Sequence, residues 1–560
     1  MLSLPNELLG EILENVERLN DRKSLRLTCS RLAFILRPFV LKEITLNIQK
    51  YKLIPGFSLL RALASPDNVY SQCVRTLYID SLSPSYFPDP EFKEKEKACR
   101  HTYELHDLAR EWVSDGEDQP TREYEELRTL LKPALESLKD LVAVHWRWYH
   151  KDEWAMEPVM QLLPSFRSLR EFSFCAPLLR RAIPFPEINT NLKVLSIDIS
   201  LPTHSSSFEF IAPLIRHLLS RSKCLSSLHF DVKCLGLDPS SLLNFSTLGS
   251  PQRSLITHLS LGGWLRQAFE IPNYFPNLTS LQLRSHYGNT LEPLFSGLRS
   301  KQIHLRSLVL DFLTEPVLDY IGTYSGLEVL SLNGPKWYRH TYSQNADRFY
   351  QEILPLHNDS LVKLEMEPEF ESRWCFGENN VEAISSCRNL RVLSVRVGYS
   401  GLPKPKESYP FSYVFAGSSD EAANPVHLLL QTVSSKLPDL HTLYIDSARD
   451  PSYAHDHSDF IIQGAQRCRA VRSYIEASIK DPLVENGPKL EPREDPYDLE
   501  VLKWVRIFVG REKMKLVAKL GTSTDGGSLP APHFGNVKSS RLRTVVDSMK
   551  KRLSLGRNPR

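Results

Sequence analysis

Cysteine is sparse in this sequence, and the few cysteines are scattered. The chain has 9 of them in 560 residues, with no Cys-x-x-Cys pair. Neither a zinc site nor a disulfide framework is therefore predicted, and reduced thiols in the cytoplasm, the nucleus or both are the simplest account. Long apolar runs are also missing, since no stretch approaches the roughly 18 residues that cross a bilayer. Glu7, Glu11 and Glu14 interrupt the apolar residues at the N-terminus, so no signal peptide is predicted.

An excess of charge of one sign is missing as well. The formal net charge is +3, which argues against nucleic-acid or membrane binding by the bulk of the chain, though not by a local patch. The hydrophobic fraction of 41% and the charged fraction of 24% are typical of folded proteins. A chain of 560 residues is too long for one ordinary globular core, so several domains or one elongated repeat array is expected.

Signatures of catalysis are missing too. The sequence has no phosphate-binding glycine loop, no His-Glu-x-x-His and no Gly-x-Ser-x-Gly. His455-Asp456-His457 has no third ligand at a helpful spacing, so a solvated loop is favoured over a metal site. The aromatic run from Trp146 to His150 is more typical of packing than of base stacking. No enzyme activity, cofactor or metal is predicted.

One short motif recurs along most of the chain. We call Leu-x-x-Leu-x-apolar the leucine motif. Clear copies begin at Leu169, Leu192, Leu225, Ile256, Leu278, Leu305, Leu327, Leu361, Leu390 and Leu440, and weaker ones at Leu41, Val74 and Leu138. Several spacings between copies fall within the roughly 20–29 residues of leucine-rich repeats. The motif resembles the irregular leucine-rich repeats common in F-box proteins, although the asparagine expected eight residues after the first leucine is missing, as at Pro335 after Leu327.

The alternation of apolar residues in the leucine motif predicts a short strand with one buried face. A single unit cannot bury its leucines, whereas stacked units pair their strands in parallel and share one core. The predicted fold is therefore α/β, with a solenoid over residues 41–447 that has parallel strands on its concave face and helices outside. An ordinary α/β domain with leucine-rich strands is the alternative.

Two insertions interrupt the predicted array. Residues 84–135 are charged and are predicted to be helical at their ends, whereas residues 399–427 are rich in Pro, Ser and Gly and are predicted to form a surface loop.

A change of pattern marks the C-terminal part of the chain. Residues 448–521 are predicted to form a helical cap, because 458–480 and 497–520 have helical apolar spacing; in the latter the apolar residues are Val501, Leu502, Val505, Phe508 and Val509. Residues 522–560 are predicted to be a disordered basic tail. An amphipathic basic helix that contacts lipid, nucleic acid or an import receptor is the alternative for the tail.

Positions five and seven of the leucine motif alternate with its buried positions, so their side chains are predicted to lie on the exposed sheet face and to contact a target protein. Position five contributes Tyr78, His229 and Tyr444, and position seven contributes Asp80, Asp198, Asp231, Arg284, Asp311, Arg396 and Asp446. The two tyrosines are the stronger candidates because binding hot spots favour aromatic residues. The acidic excess predicts a target with a basic or mixed-charge segment, although exposed strand ends are polar in many proteins without a functional reason.

The first forty residues follow a helical pattern. Pro5 stands in the first turn of a predicted helix, where its missing N–H has no consequence. Leu8, Leu9, Ile12, Leu13 and Val16 form one apolar stripe at helical spacing. Asp21 is a candidate N-cap for a second helical stretch, in which Leu25, Cys29, Leu32, Ala33 and Leu36 form another stripe.

The ordered string of these residues resembles a known family. Leu-Pro-x-Glu-Leu-Leu-x-x-Ile-Leu from Leu4, followed by Asp-Arg-Lys-Ser-Leu-Arg-Leu-Thr-Cys-Ser-Arg-Leu-Ala from Asp21, closely resembles the F-box of filamentous-fungal proteins. F-boxes are three-helix modules that bind the Skp adaptor of Skp–cullin–F-box ubiquitin ligases. The resemblance implies an F-box at residues 1–40 and adaptor-binding positions at Leu4, Pro5, Leu8, Ile12, Leu25, Leu27, Cys29 and Leu32. The tryptophan that many F-boxes carry late in the third helix is absent, and Leu36 and Phe39 stand near its place.

The resemblance implies a non-catalytic substrate receptor. The F-box would hold the Skp adaptor and, through it, a cullin, while the solenoid would hold a target protein at high effective concentration for ubiquitylation. The isopeptide chemistry would belong to the partners. The alternatives are a Skp-bound or free repeat scaffold without a ligase role, an N-terminus that only caps the first repeat, and binding of nucleic acid or membrane by the tail.

Overall fold

The structure is a computed structural model of the chain. It describes residues 4–16, 19–49, 52–66, 68, 70–84, 122–176, 191–201, 222, 224–234, 255–262, 270–284, 291–311, 313–332, 341–398, 402, 405–408, 412–415, 425–448, 472, 474–475, 503–509, 516–520 and 533–535. The chain divides into two compact units, unit 1 of residues 1–278 and 283–297 and unit 2 of residues 279–282 and 298–560.

Some of the predicted segments lie outside the described residues. These are 85–121 in the first insertion, His455-Asp456-His457, most of 458–480, and the basic tail from residue 536 onward. The predictions for these segments stay predictions.

Unit 1 begins with three helices, α1 (Asn6–Glu14), α2 (Leu19–Arg26) and α3 (Ser30–Val40). Leu13, Leu32, Leu36 and Val40 form their buried core, which the partly buried Val16, Leu25 and Cys29 contact. The Cys29 Sγ caps α3 by accepting a hydrogen bond from the Leu32 N–H at 3.5 Å. Asp21 lies inside the first turn of α2, so the prediction that it caps the second helix is wrong; the helix begins two residues earlier.

Parallel strands follow in unit 1. They are β1 (Glu43–Asn47), β2 (Thr76–Ser81), β3 (Ala143–Arg147), β4 (Glu171–Ala176), β5 (Val194–Leu201), β6 (Ser227–Cys234) and β7 (His258–Gly262), and each pairs with the next in parallel. The helices of this part are α4 (Leu53–Ala64), α5 (Arg122–Glu136), α6 (Glu153–Leu162) and the short α7 (Ile271–Tyr274). β8 (Ser280–Arg284) and α8 (Glu292–Ser300) contain residues of both units.

Unit 2 continues the same pattern. Its strands β9 (Ser307–Leu310), β10 (Val329–Leu332), β11 (Lys363–Met366) and β12 (Val392–Val397) pair in parallel in that order. After the separate antiparallel hairpin of β13 (Pro405–Ser408) and β14 (Ser412–Phe415), β15 (Thr442–Ser447) pairs in parallel with β12. The helices are α9 (Glu315–Ile321), α10 (Thr341–Arg348), which runs into a π-helical turn at Phe349–Ile353, α11 (Val381–Ser385) and α12 (Pro425–Lys436).

Every clear copy of the leucine motif begins its strand at the third position. In β9, for example, Leu308 and Leu310 are buried, whereas Ser307 and Val309 are partly exposed. The prediction of parallel strands with one buried face and with helices outside is therefore confirmed. The weak copy predicted at Leu138 is wrong by three residues, because β3 starts at Ala143 and Leu141 takes the first position.

Consecutive strands are joined in the same way at their N-terminal ends. In most of the described copies, the carbonyl of the second residue of the motif accepts the N–H groups of the second and third residues of the next copy. Thus the Arg75 carbonyl accepts from Val142 at 2.7 Å and from Ala143 at 3.0 Å. The same paired acceptance occurs at the carbonyls of Lys42, Val142, Arg170, Lys193, Ser226, Thr279, Arg306, Glu328, Val362 and Arg391. The paired bonds run between backbone atoms, and at two joints a side chain adds a third: the Ser226 Oγ donates to the Lys193 carbonyl at 3.1 Å and the Thr257 Oγ1 to the Ser226 carbonyl at 3.3 Å.

The helix predicted across 497–520 is wrong where the structure describes it. β16 (Lys503–Val509) pairs in parallel with β15, and β17 (Leu516–Leu520) then pairs antiparallel with β16. Val505, Ile507 and Val509 are buried, so the burial has the period of a strand. β-Branched residues at this period favour a strand, and the apolar spacing alone fits both structures.

Two further predictions change in detail. His533–Gly535 forms β18 on the edge of β17, so the tail predicted from residue 522 contains an ordered strand. The predicted surface loop at 399–427 contains the β13–β14 hairpin, and the start of α12 lies in it. At the end of the first insertion α5 is helical, as predicted, and it buries Leu127, Leu131 and Leu135.

Among the described helices, none combines the length and the hydropathy needed to cross a bilayer.

Candidate functional site

The first candidate surface lies on α1, which has apolar residues on two sides. Leu9 and Leu13 are fully buried, whereas Leu8 and Ile12 are 46% and 42% exposed. Because residues three and four apart share one side of a helix, the exposed Pro5, Leu8 and Ile12 follow one another along it. We call these three residues the α1 surface. Leucine and isoleucine exposed next to each other on one side of a helix make the α1 surface a candidate contact surface.

The predicted adaptor-binding residues divide between surface and core. Pro5, Leu8 and Ile12 are exposed, as is Leu27 at 82%. Leu32 is in the core of the three helices, and Leu25 and Cys29 pack against that core. The Leu4 carbonyl accepts a hydrogen bond from the Arg31 Nη2 at 2.5 Å, which ties the start of the chain to α3.

The sequence prediction missed one exposed aromatic residue in this region. Phe34 on α3 is 64% exposed, and the Arg37 guanidinium lies over its ring at 5.6 Å and over the Tyr70 ring at 4.8 Å. Phe34 falls outside the buried stripe of α3, which could have marked it as a surface residue.

The second candidate surface is the exposed side of the unit 1 strands. Tyr78 is 37% exposed and stacks on His145, with ring centroids 4.7 Å apart and planes at 15°. The His145 Nε2 lies 3.8 Å from the Glu171 Oε1. His145 was missed because the prediction placed this motif copy three residues too early; from Leu141, His145 is at position five.

Three predicted residues lie on the adjacent strands β5 and β6. Asp198 and Asp231 are register partners on these adjacent strands. Asp231 is only 5% exposed, and its carboxylate occupies the space that a Cβ at Gly262 would fill. The prediction that Asp231 is exposed is therefore wrong, because the neighbouring strand has a glycine beside it. The His229 Nδ1 is 2.7 Å from the Ser260 Oγ.

The predicted residues of unit 2 include a second aromatic pair. Tyr444 is 37% exposed and stacks on Phe508 at 4.7 Å and 16°. Arg396 and Asp446 are register partners, but the Arg396 Nη1 donates to the Pro368 carbonyl at 3.0 Å. The Asp446 Oδ1 lies 3.6 Å from the Arg472 Nε. Asp311 is partly exposed after β9, and Arg284 is exposed at the end of β8.

Two buried ionisable residues bond to backbone groups. The Asp152 Oδ1 accepts the Leu82 N–H at 3.0 Å, and burial raises the pKa of this carboxyl to about 8. The His357 Nδ1 accepts the Leu327 N–H at 3.3 Å, which leaves its Nε2–H to donate to the Ile321 carbonyl at 3.0 Å. Burial lowers the pKa of His357. Both residues therefore hold chain segments together.

In the part of the chain that the structure describes, no three His, Cys, Asp or Glu side chains are arranged to hold a metal ion. Trp146 is buried against Phe174, with ring centroids 5.5 Å apart, and Trp148 is buried as well. These two aromatic residues pack inside unit 1.

Comparison with known proteins does not assign this chain to a family. No family model matches the sequence, and no curated protein is significantly similar to it. The resemblance to F-box proteins therefore stays a prediction that depends on the residues quoted for it.

Proposed function

We propose that this chain is a non-catalytic substrate receptor of a Skp–cullin–F-box ubiquitin ligase. Its first three helices dock the Skp adaptor, and its exposed strand face binds a protein that the ligase ubiquitylates. The observation that carries the proposal is the α1 surface. Leu8 and Ile12 are exposed on one side of a helix that buries Leu9 and Leu13 on the adjoining side.

Burial of the α1 surface would contribute part of the free energy of docking. Full burial of a leucine or isoleucine side chain stabilises a complex by about 1.5–3 kcal/mol, so two half-exposed side chains contribute on the order of 2 kcal/mol. Leu27 adds a third exposed apolar side chain from the turn after α2. The buried Leu32, Leu36 and Leu13 hold the three helices together, so the exposed residues are presented by a folded support.

The mechanism of such a receptor is proximity. Adaptor and target are bound to one chain, which raises the effective concentration of target lysines near the ubiquitin-charged enzyme. No residue of this chain forms or breaks a bond in this scheme. The stacked pairs Tyr78–His145 and Tyr444–Phe508 are the aromatic anchors that we assign to target binding.

The test is a pull-down of purified Skp adaptor and cullin with the full-length chain. The variant Leu8→Ala/Ile12→Ala removes apolar area from the α1 surface without touching the core. The matched control is Ile54→Ala on α4, because Ile54 is 82% exposed and lies outside the three helices. We expect the wild type and the control to retain both partners and the double variant to lose them.

Other outcomes separate the alternatives. Retention of the adaptor by the double variant would mean that another surface docks it. Binding of the adaptor without a cullin would favour a scaffold without a ligase role. If the wild type binds neither protein, the three helices only cap the strands and the ligase proposal fails.

A further inference from the structure

The exposed ring of Tyr78 has one covered side and one open side. On β3 its register partner is His145, which stacks against one ring face at 4.7 Å. On β1 its register partner is Thr45, a short and exposed residue. Neighbouring strands are about 4.8 Å apart, so a flat group over Thr45 would lie at stacking distance from the second ring face. We call Glu43, Thr45, Tyr78 and Asp80 the Tyr78 shelf.

Carboxylates surround the open ring face. Glu43 precedes Thr45 by two residues on the same side of β1, and Asp80 follows Tyr78 by two residues on the same side of β2. The Asp80 Oδ2 accepts a hydrogen bond from the Asn47 side chain at 2.5 Å. Because the Asn47 amide is neutral, it does not offset the negative charge of Asp80. Burial, followed by the charges of Glu43 and Glu171, raises the pKa of the Tyr78 hydroxyl. The carboxylates of Glu43 and Glu171 therefore make the electrostatic potential at this hydroxyl more negative.

The nearest arginines on the neighbouring strand ends are directed elsewhere. Arg147 follows His145 by two residues, and its guanidinium lies over the Tyr149 ring at 5.4 Å. Arg75 precedes β2 and pairs with Asp140 at 3.1 Å. Among the described residues, arginine–ring contacts occur at Phe34, Phe39, Phe57, Tyr70 and Tyr149, and none of these involves Tyr78.

We propose that the Tyr78 shelf binds an arginine side chain of a protein partner. The guanidinium stacks on the open face of Tyr78 above Thr45, and its N–H groups reach the carboxylates of Glu43 and Asp80. Arginine fits better than lysine because a planar guanidinium stacks on a ring and donates along its edges at once. This inference depends on the target-binding part of the proposed function and names the chemistry of the bound segment.

The experiment measures binding of a fluorescent peptide of alternating glycine and arginine to the full-length chain by anisotropy at low salt. Tyr78→Leu should weaken binding about threefold to fivefold, the size of an exposed cation–π contact. Tyr78→Phe keeps the ring and should stay within about twofold of the wild type. Tyr70→Leu is the matched control, because Tyr70 is also exposed in unit 1 and already stacks with Arg37.

A second pair of variants tests the shelf from β1. Thr45→Phe fills the space over the ring with a cross-strand aromatic pair, which favours the folded strand, and it should block the site. Glu43→Gln removes one carboxylate at an exposed position and should weaken binding about twofold to threefold. Both variants keep the inference testable if Tyr78→Leu does not fold.

Two results would overturn the inference. One is that Thr45→Phe and Tyr78→Leu bind the arginine peptide with the same affinity as the wild type. The peptide would then bind outside the Tyr78 shelf. The other is equal or tighter binding of the matching glycine–lysine peptide, which would remove the assignment to arginine. Failure of the adaptor pull-down is a separate outcome, because this assay contains neither Skp adaptor nor cullin.

Discussion

At the scale of single residues, Asp152 is an unusual side chain of unit 1, because it is a buried carboxyl with a raised pKa. It is fully buried at the end of the 3-10 turn His150–Asp152, and its Oδ1 accepts the N–H of Leu82 just after β2. Its Oδ2 has no hydrogen-bond partner among the described residues. A buried carboxyl with one free oxygen is more stable when it carries a proton, and the nearby charge of Asp80 adds to this effect.

The pKa of Asp152 predicts how stability changes with pH. Because the folded-state pKa of about 8 is above the usual 3.8, the folded chain retains a proton that the unfolded chain releases. The resulting stabilisation is complete below about pH 3.8, decreases as the pH rises, and is lost above about pH 8. Asp152→Asn keeps an acceptor for the Leu82 N–H and has no proton to release. As the pH rises from about 3.8 to about 8, the free energy of unfolding of the wild type should therefore fall relative to that of this variant. The fall should be at most about 1.4 kcal/mol per pH unit.

Urea unfolding at a series of pH values between 4 and 8 checks this prediction. Asp140→Asn is the control, because it removes an exposed carboxylate of the same unit. A constant difference between the wild type and Asp152→Asn at every pH would show that Asp152 is ionised in the folded protein.

At the scale of single elements, Tyr320 near the end of α9 and Tyr324 just after this helix bond to the segment before β9. The Tyr320 hydroxyl donates to the Ile303 carbonyl at 2.6 Å and accepts the Leu305 N–H at 3.1 Å. The Tyr324 hydroxyl donates to the Leu305 carbonyl at 3.0 Å. All of these groups are buried, so the backbone around Ile303 and Leu305 depends on side chains for its hydrogen bonds.

Tyr320→Phe should destabilise unit 2 by about 2 kcal/mol, because two buried backbone groups lose their partner while the ring stays in place. Tyr70→Phe serves as the comparison, since the exposed Tyr70 hydroxyl has water available and its loss should cost close to nothing. Denaturant unfolding of the three proteins measures both effects. Equal midpoints for Tyr320→Phe and the wild type would mean that α9 is held by apolar packing alone.

The leucine motif predicted most of the parallel strands, but the sequence did not decide between strand and helix where the apolar residues fit both periods. The leucine motif placed these strands because its alternation has period two and each clear copy begins two residues before a strand. At Val505, Ile507 and Val509 the apolar residues also fit helical spacing, and only pairing with β15 selects the strand. Leu138 and Leu141 both begin a match to the motif, and the position of the neighbouring strands decides between them.

At the scale of the whole molecule, the two units contain buried groups with opposite responses to pH. Asp152 in unit 1 loses its stabilising proton as the pH rises. His357 in unit 2 has a lowered pKa, so its contribution is present above about pH 6.5 and is lost as the pH falls through the folded-state value. Protonation of the His357 Nδ1 would replace the acceptor of the Leu327 N–H with a second donor.

Mild acid should therefore open the region around His357 before it affects the strands beside Asp152. Hydrogen exchange at pH 7 and pH 5, corrected for the intrinsic exchange rate, should show loss of protection at 321–327 and 357–361. His357→Gln offers one acceptor and one donor that need no titration, so this loss should be reduced in the variant. The idea fails if the wild type and His357→Gln lose protection equally.

The candidate surfaces could be predicted from the sequence only in part. Exposure of Tyr78 and Tyr444 followed from their place in the leucine motif, and the structure agrees. Their stacking partners His145 and Phe508 could not be found, because each requires the alignment of a neighbouring strand. The burial of Asp231 depends on Gly262, a residue of the next strand whose missing side chain leaves the space. Contacts across strands are tertiary information that a single motif copy does not contain.

The joints between successive strands have a consequence for how the sequence of such a protein can diverge. At each joint one carbonyl accepts two N–H groups, and the residue that supplies this carbonyl is variously Lys, Arg, Val, Ser, Thr or Glu. Because the paired backbone hydrogen bonds do not require a particular side chain, mutation can replace an exposed residue at a joint without removing them. The lengths of chain between joints also vary widely. Selection can therefore alter what such a surface recognises by successive substitutions and insertions, while the buried leucines continue to specify the fold.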